Sequence, residues 1–315
     1  MNYNKTLLAT MFALLAPVAA QADFPQKNIT IVVGYGPGGG SDITARVVSQ
    51  YLEKYLDGNV SVVVRNVQGA GGVIALTQVS RAEPDGYTIG AFNVPASNGR
   101  MKDRSVSYGL DSFDFLAGVA SDPNTLVALK GSGIETLDEL AEACASEERL
   151  TLGVAGFGGE DHFAARQIED KLGCSFTYVP LGGDGPARTA VMGGHVNLAV
   201  VNVSAAYNYQ EALSFLGVMD QSRSQYVEEV PTFIEQGYDI EMASTRGYVL
   251  PAGTPQEIVE QYLSAFTEMF NDPQFIQDMG REAVPAIYFD AVEWTTLAEA
   301  QDKIVTELWE NSPWK

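Results

Sequence analysis

The stretch Ile29-Thr30-Ile31-Val32-Val33-Gly34-Tyr35-Gly36-Pro37-Gly38-Gly39-Gly40-Ser41-Asp42 decides how this chain folds. Its first five residues are a short β-branched run that stops at glycine, the pattern of a buried strand. From Ser41 the period changes. Ile43, Val47, Tyr51, Leu52 and Tyr55 recur at helical spacing, with Ser41 suited to cap the helix and Gly58 to stop it. Between strand and helix lies a glycine loop. It leaves the first backbone N–H groups of the helix unobstructed, and the helix dipole adds a positive end, which together make a place for a carboxylate or phosphate.

Outward from that unit the same alternation continues. Strands are expected at Val60–Val64, Tyr87–Ala91, Phe115–Val119, Thr125–Leu129, Leu150–Val154, Phe176–Val179, Val196–Val201 and Ser214–Val218. Helical patterns fall near Leu137–Ala145, Asp161–Leu172, Pro186–Met192 and Ala205–Leu213. Strands alternating with helices predict an α/β fold with parallel sheets covered on both faces. Near the C-terminus Thr254-Pro255-Gln256-Glu257 reads as a capping box, followed by the stripe Ile258, Tyr262, Phe266 and Met269. No repeat or floppy tether separates domains. Two chain crossings, near 119–129 and 243–251, are expected instead.

A second glycine loop repeats the first design: Gly153-Val154-Ala155-Gly156-Phe157-Gly158-Gly159-Glu160-Asp161-His162. Two such loops on opposed domains would grip a small anion from both sides. Gly34, Gly36 and Gly39 also match the spacing of a dinucleotide fingerprint. Pro37 sits inside that turn, however, and the next strand ends in Arg65 rather than an acidic ribose-binding residue. There is no nucleophile elbow. His162 and His195 lack zinc-ligand spacing, and His195 reads as a turn or surface residue. No cofactor, metal or catalytic residue is expected.

At the N-terminus Lys5 precedes an apolar run, Leu7 to Ala20, and Ala20-Gln21-Ala22 has the small-x-small form of a cleavage site. Residues 1–22 are therefore expected to be a secretory signal, with the mature chain beginning near Asp23. No cysteine lies near the cut to carry a lipid. The 315-residue chain carries 40 acidic against 19 basic residues, a net charge of −21. That field disfavours nucleic acid and anionic membranes. It does not bar an anionic ligand, because surface charge is screened over roughly 8–10 Å at physiological salt. Cys144 and Cys174 are the two cysteines, and in an oxidising compartment either one disulfide or two buried thiols fits them.

At these residues the chain resembles the extracytoplasmic binding receptors of the tripartite tricarboxylate transporters, the TctC or Bug family. The resemblance spans the mature chain. Its marks are Phe24-Pro25, Gly38-Gly39-Gly40-Ser41-Asp42 with Arg46, Gly69-Ala70-Gly71-Gly72 and Pro84-Asp85-Gly86-Tyr87-Thr88. Gly156-x-Gly158 with His162, Gly185-Pro186, Gly193-Gly194, Val230-Pro231-Thr232 and Pro251-Ala252-Gly253-Thr254-Pro255 follow in order. The resemblance implies a two-lobed periplasmic-binding-protein fold (type II, Venus-flytrap) with the ligand cleft between lobes. It also implies a monomer that delivers a small carboxylate to a membrane permease or, in some members, reports it to a sensor kinase. A periplasmic enzyme is the remaining, more distant alternative. With the signal at 1–22, lobe 1 would comprise 23–121 and 245–315, and lobe 2 would comprise 122–244.

In that family the two glycine loops hold the ligand carboxylate, partly through ordered water. The matching positions are Tyr35, Gly36, Gly39, Gly40, Ser41 and Asp42, then Ala155, Gly156, Phe157, Gly158, Gly159 and His162. His162 would donate to the ligand or cap the loop. Asn93 and Asn202, at strand ends, would bond ligand or shape turns. Arg46, one turn after Asp42, is read as its ion-pair partner. The family commonly has small hydroxyl residues where this chain has Glu160 and Asp161. Those two would cap the helix while pointing to solvent, or one would meet an ammonium group. A large aromatic residue is common near Thr245-Arg246. Here Arg246 offers a planar fork for a second ligand carboxylate, against the alternative of a surface ion pair.

Overall fold

The computed structural model describes residues 24–314 except 57, 103–104 and 147–148, so the expected signal segment lies outside the described residues. Its elements run β1 (Ile29–Val33), α1 (Gly40–Tyr55), β2 (Val62–Asn66), α2 (Val73–Ser80), β3 (Thr88–Val94), α3 (Ala96–Arg100) and β4 (Phe113–Leu129). Then come α4 (Leu137–Cys144), β5 (Leu150–Val154), α5 (Glu160–Leu172), β6 (Phe176–Pro180), α6 (Asp184–Met192), β7 (Leu198–Asn202), α7 (Val203–Ala206) and β8 (Leu213–Val218). β9 (Ala243–Pro251), α8 (Gln256–Phe270), α9 (Pro273–Arg281), β10 (Ala286–Phe289) and α10 (Ala291–Asn311) complete the chain.

The strands follow one path, β2-β1-β3-β9-β4-β7-β5-β6, with β8 and β10 also pairing β4. Both flanks are parallel: β2-β1-β3 on one side and β7-β5-β6 on the other. The middle is antiparallel, because β4 and β9 run against each other and against their neighbours. β4 gives its first half to one flank and its second half to the other, and β9 accompanies it through the crossing. The α/β, two-lobed architecture expected from the alternating pattern is thus present, with two antiparallel strands as its spine.

Two strand expectations are corrected at that spine. Phe115–Val119 and Thr125–Leu129 are one strand, since Pro123 does not end it but pairs opposite Ala243 where the ladder changes flank. β3 runs on to Val94, so Asn93 lies inside a strand rather than beyond it. Two capping expectations also change. Gly39, not Ser41, is the N-cap of α1, and the helix ends at Tyr55. Pro255 caps α8 without a side-chain bond, because the Thr254 hydroxyl donates to the Pro251 carbonyl (2.8 Å) instead of closing a capping box. The helix expected at 205–213 is shorter and earlier, at α7.

Each flank has its own core. Ile29, Ile31, Leu52, Ile89 and Leu250 pack with Tyr262, Phe266 and Phe275 of the C-terminal helices. Leu126, Leu152, Ala165, Ile168, Leu198 and Phe233 form the second core. Burying a large apolar side chain contributes roughly 1.5–3 kcal/mol, so these clusters supply the main favourable term in each flank. Tyr262 is fully buried, and its hydroxyl donates to the Gly86 carbonyl (2.6 Å), which satisfies the polar tip. Cys144 and Cys174 are joined by a disulfide, which ties α4 to the strand edge after α5. The segment after α10 reaches across to α5, where Trp314 packs on Phe163 (4.9 Å between rings) in a small cluster with Val305, and Arg166 donates to Ser312 Oγ (2.6 Å). Among the described residues no helix is long and apolar enough to cross a membrane.

Candidate ligand site between the lobes

Three helix N-termini converge where the flanks face each other. α1, α5 and α6 are all capped by glycine: Gly39, Gly159 and Gly183. A side chain would collide at Gly159, where a Cβ would run into Arg100 Nη2, and at Gly183, where it would stand 2.9 Å from the Gly36 backbone nitrogen. At Gly39 it would crowd the opposing lobe, 3.3 Å from the Gly185 backbone nitrogen and 3.6 Å from the Asp184 Cβ. Gly158 needs its glycine for a different reason, a φ of +75°. The two faces touch directly. Gly36 N–H donates to the Gly182 carbonyl (3.0 Å), and Arg188 Nη1 donates to the Gly38 carbonyl (3.1 Å). This is a closed arrangement.

The first loop is braced from within its own flank. Asp42 accepts from Arg46 (2.8 Å), from Gly38 N–H (2.9 Å) and from Asn66 (3.0 Å). Although burial opposes it, the Arg46, Gly38 and Asn66 hydrogen bonds hold its carboxyl below the ordinary range. The Asp42–Arg46 ion pair read from their spacing is therefore present, and Asp42 serves loop shape. Asn93 Nδ2 donates to Ser41 Oγ (2.5 Å), bracing the first turn of α1.

The second loop folds on Asp161. Its Oδ2 accepts the Ala155 N–H, and its Oδ1 lies 3.9 Å from Arg100 Nη2. Burial, then the neighbouring Glu160 charge, pushes the Asp161 carboxyl up to about 7, although Arg100 and the backbone N–H groups pull it down. His162 Nδ1 accepts Gly158 N–H (3.3 Å), so it caps the loop. The solvent-facing role expected for Glu160 and Asp161 is corrected. They are 8% and 1% exposed, because α5 starts beneath the opposing lobe.

Of the two readings of Arg246, the surface ion pair is corrected. It is 2% exposed and not a surface residue. Its Nη2 donates to Asp122 Oδ2 (2.7 Å) and Asn202 Oδ1 (2.8 Å), and its Nη1 donates to Thr44 Oγ1 (3.2 Å). The fork expected to face a ligand is engaged within the protein. Its Nε–H has no hydrogen-bond partner among the described residues. Asn202 lies at the end of β7 as expected, with Nδ2 donating to the Asp122 carbonyl (3.1 Å). Thr245 is paired to Ser121 by their hydroxyls (3.1 Å), so it belongs to the crossing rather than to the loops.

Four contributors were not singled out from sequence. Arg100, at the end of α3, donates to Tyr35 Oη (2.9 Å) and reaches the Gly156 carbonyl (3.5 Å), joining both loops. Burial lifts the Tyr35 hydroxyl to about 12 despite that guanidinium. Asp184 opens α6 and accepts Asn202 N–H (3.3 Å). Burial, then the Glu160 and Asp161 charges, pushes its carboxyl up to about 7 against the pull of Arg246. Arg188 lies over the Tyr209 ring (3.9 Å). Finally, Gln68 and Gly69–Gly71 line, with Gly34, Ala155 and Gly156, a cavity of about 360 Å³ at the mouth of the cleft. The run Gly69-Ala70-Gly71 was the available signal for that last contributor.

The chain's likeness to known proteins follows the same geometry. Residues 44–310 match the model of the tripartite tricarboxylate transporter family receptors, TctC. A UPF0065 protein in the gbd 5' region of Cupriavidus necator is 30% identical over 285 residues, covering 90% of this chain and 86% of that one. The structure of the periplasmic binding protein BugD superposes with a TM-score of 0.85 at 25% identity, over 91% of this chain and 98% of that one. An R. palustris protein, Rpa4515, solved with adipate, gives a TM-score of 0.85 at 24% identity over 91% and 98%. With a converging pair of glycine loops, a two-flank sheet and these matches, the chain belongs to the TctC family of solute-binding receptors.

Proposed function

We propose that this protein is a periplasmic receptor that captures a small carboxylate between its lobes and hands it to a membrane permease of the tripartite tricarboxylate type. The observation that carries this reading is the meeting of the α1 and α6 N-termini, each capped by glycine, across an interlobe contact, with a Gly39 side-chain position only 3.3 Å from the Gly185 backbone nitrogen. Unobstructed N–H groups and two helix dipoles favour negative charge at that point. The unpartnered Arg246 Nε–H beneath α1 adds a donor of the same preference. The adipate held by the R. palustris relative of the same fold supports a dicarboxylate-sized ligand.

The lobe division we infer is 23–121 with 245–315 against 122–244. Support comes from the crossing itself, where Ser121 pairs opposite Thr245 and Asp122 opposite Ser244. Catalysis has no part in this reading, because the cleft residues are not assembled into a nucleophile, a base and an oxyanion site. Calorimetric titration of the mature chain with four- to six-carbon dicarboxylates, plain and amino-substituted, tests it. Saturable binding that is lost in Gly39→Val is expected. If none of these acids binds, or if Gly39→Val binds as well as wild type, the reading fails.

A further inference from the structure

The interlobe site contains more carboxylates than it pairs. Asp122 is answered by Arg246 at 2.7 Å, and Asp161 faces Arg100 at 3.9 Å. Glu160 and Asp184 have no lysine or arginine at ion-pair distance among the described residues. Glu160 is 8% exposed, and its Oε2 has no hydrogen-bond partner among the described residues. Its charge acts on Tyr35 of the first loop and on Asp161 and Asp184 of the second lobe, so it lies close to both loops. Asp184 comes to the same place from α6, with its Cβ 3.6 Å from the position a Gly39 side chain would take.

Buried carboxylates are ordinarily paired or fully hydrogen-bonded. A place in the first helical turn offsets part of the cost through the dipole. An acid acting as a cap, however, accepts backbone N–H groups, as Asp161 does from Ala155, and Glu160 Oε2 accepts none. A metal ion is a poor answer, since no cluster of ligating side chains among the described residues is arranged to hold one. What suits an orphaned carboxylate oxygen beside a second unpaired carboxyl is a compact cation with several N–H donors.

Building on the carboxylate-receptor reading above, we propose that the ligand also carries a protonated amine, seated between Glu160 and Asp184. The carboxylate end then lies at the glycine N-termini, and the ammonium end neutralises the two carboxyls. The bound molecule is an amino acid or a related amino-carboxylate, and a plain diacid of equal length is disfavoured by repulsion from Glu160.

Paired ligands decide this: succinate against aspartate, glutarate against glutamate, and adipate against 2-aminoadipate, titrated calorimetrically into the mature protein. At least one amino member is expected to bind tighter than its plain partner by roughly tenfold or more, the scale of a charge-assisted hydrogen bond. Glu160→Gln and Asp184→Asn should each weaken the amino acid by about tenfold while leaving or improving the plain diacid. A purely structural role for Glu160 would move both members of a pair equally. Should a variant fail to fold, the wild-type comparison still decides. Equal or tighter binding of every plain diacid overturns the amine and leaves the carboxylate reading standing. Binding of a carboxylate-free diamine such as putrescine alone, or of nothing in either series, overturns both.

Discussion

Arg246 and Asp122 form a buried ion pair, 2.7 Å long, where β9 and β4 pass from one lobe to the other. Asp122 also accepts from the Ser204 hydroxyl, and Arg246 also donates to Asn202 Oδ1 and Thr44 Oγ1. The pair therefore ties the crossing strands to α1 on one side and to the end of β7 on the other. Its location at the spine means that it bears on stability and on ligand geometry together.

Arg246→Ala is expected to lower unfolding stability by about 3–5 kcal/mol, because it strands the Asp122 carboxylate in a dry site. Urea denaturation measures this. Since the fork is engaged by Asp122, ligand binding should fall by the same factor for a monoacid and a diacid of matched length. A loss confined to the diacid would return Arg246 to the role of a second-carboxylate anchor.

The disulfide between Cys144 and Cys174 closes a loop of 30 residues in the second lobe. The double change to serine is expected to cost about 3–4 kcal/mol, the loop-closure value for that length. Because the bridge lies behind α4 and α5 and away from the glycine loops, affinity at a temperature where both proteins are folded should not change. A tenfold change in affinity without loss of stability would contradict this assignment.

The glycine loops were legible because strand, glycine run and helix are adjacent in sequence, so Gly34–Asp42 and Gly153–His162 carry their geometry locally. Arg100, Asp184 and Arg188 were not. Each reaches the cleft from an element that says nothing of its destination, and Arg100 closes a five-residue helix before further charged residues. The continuity of β4 was hidden by Pro123, which ordinarily breaks a ladder but here occupies the position where the strand changes flank. Arg246 lies on β9, opposite Ala120 of β4. Its partner, 124 positions earlier, could only be supplied by the fold.

Closure should be ligand-dependent. Contacts such as Gly36 N–H to the Gly182 carbonyl and Arg188 to the Gly38 carbonyl exist only when the lobes meet. A ligand gripped from both sides favours that state by its differential affinity. Small-angle scattering is expected to show a smaller radius of gyration at saturation than in ligand-free protein. An unchanged radius would mean that the lobes are already held shut without ligand.

The last expectation concerns pH, and its sign follows from Asp161 and Asp184. Both ionise near 3.8 in an unfolded chain, but burial and the Glu160 charge push both up to about 7 in the closed form. Between those values the folded protein binds more protons than the unfolded one, so stability falls as pH rises, and the penalty is complete above about 7. Asp272, held down to about 2 by Lys54, works in the opposite direction but only in strong acid, outside this window. The closed form should therefore lose on the order of 1–3 kcal/mol between pH 5 and 7.5. Asp184→Asn should flatten that slope, and the difference between the two profiles isolates the carboxyl from the histidines. An amino-carboxylate ligand reverses the trend, because its ammonium needs ionised partners, so its affinity should rise across the same interval. A plain dicarboxylate should weaken instead. Denaturation curves and calorimetry at pH 5, 6, 7 and 7.5 give both slopes. A pH-independent wild type, or an identical slope in Asp184→Asn, removes these two carboxyls from the account.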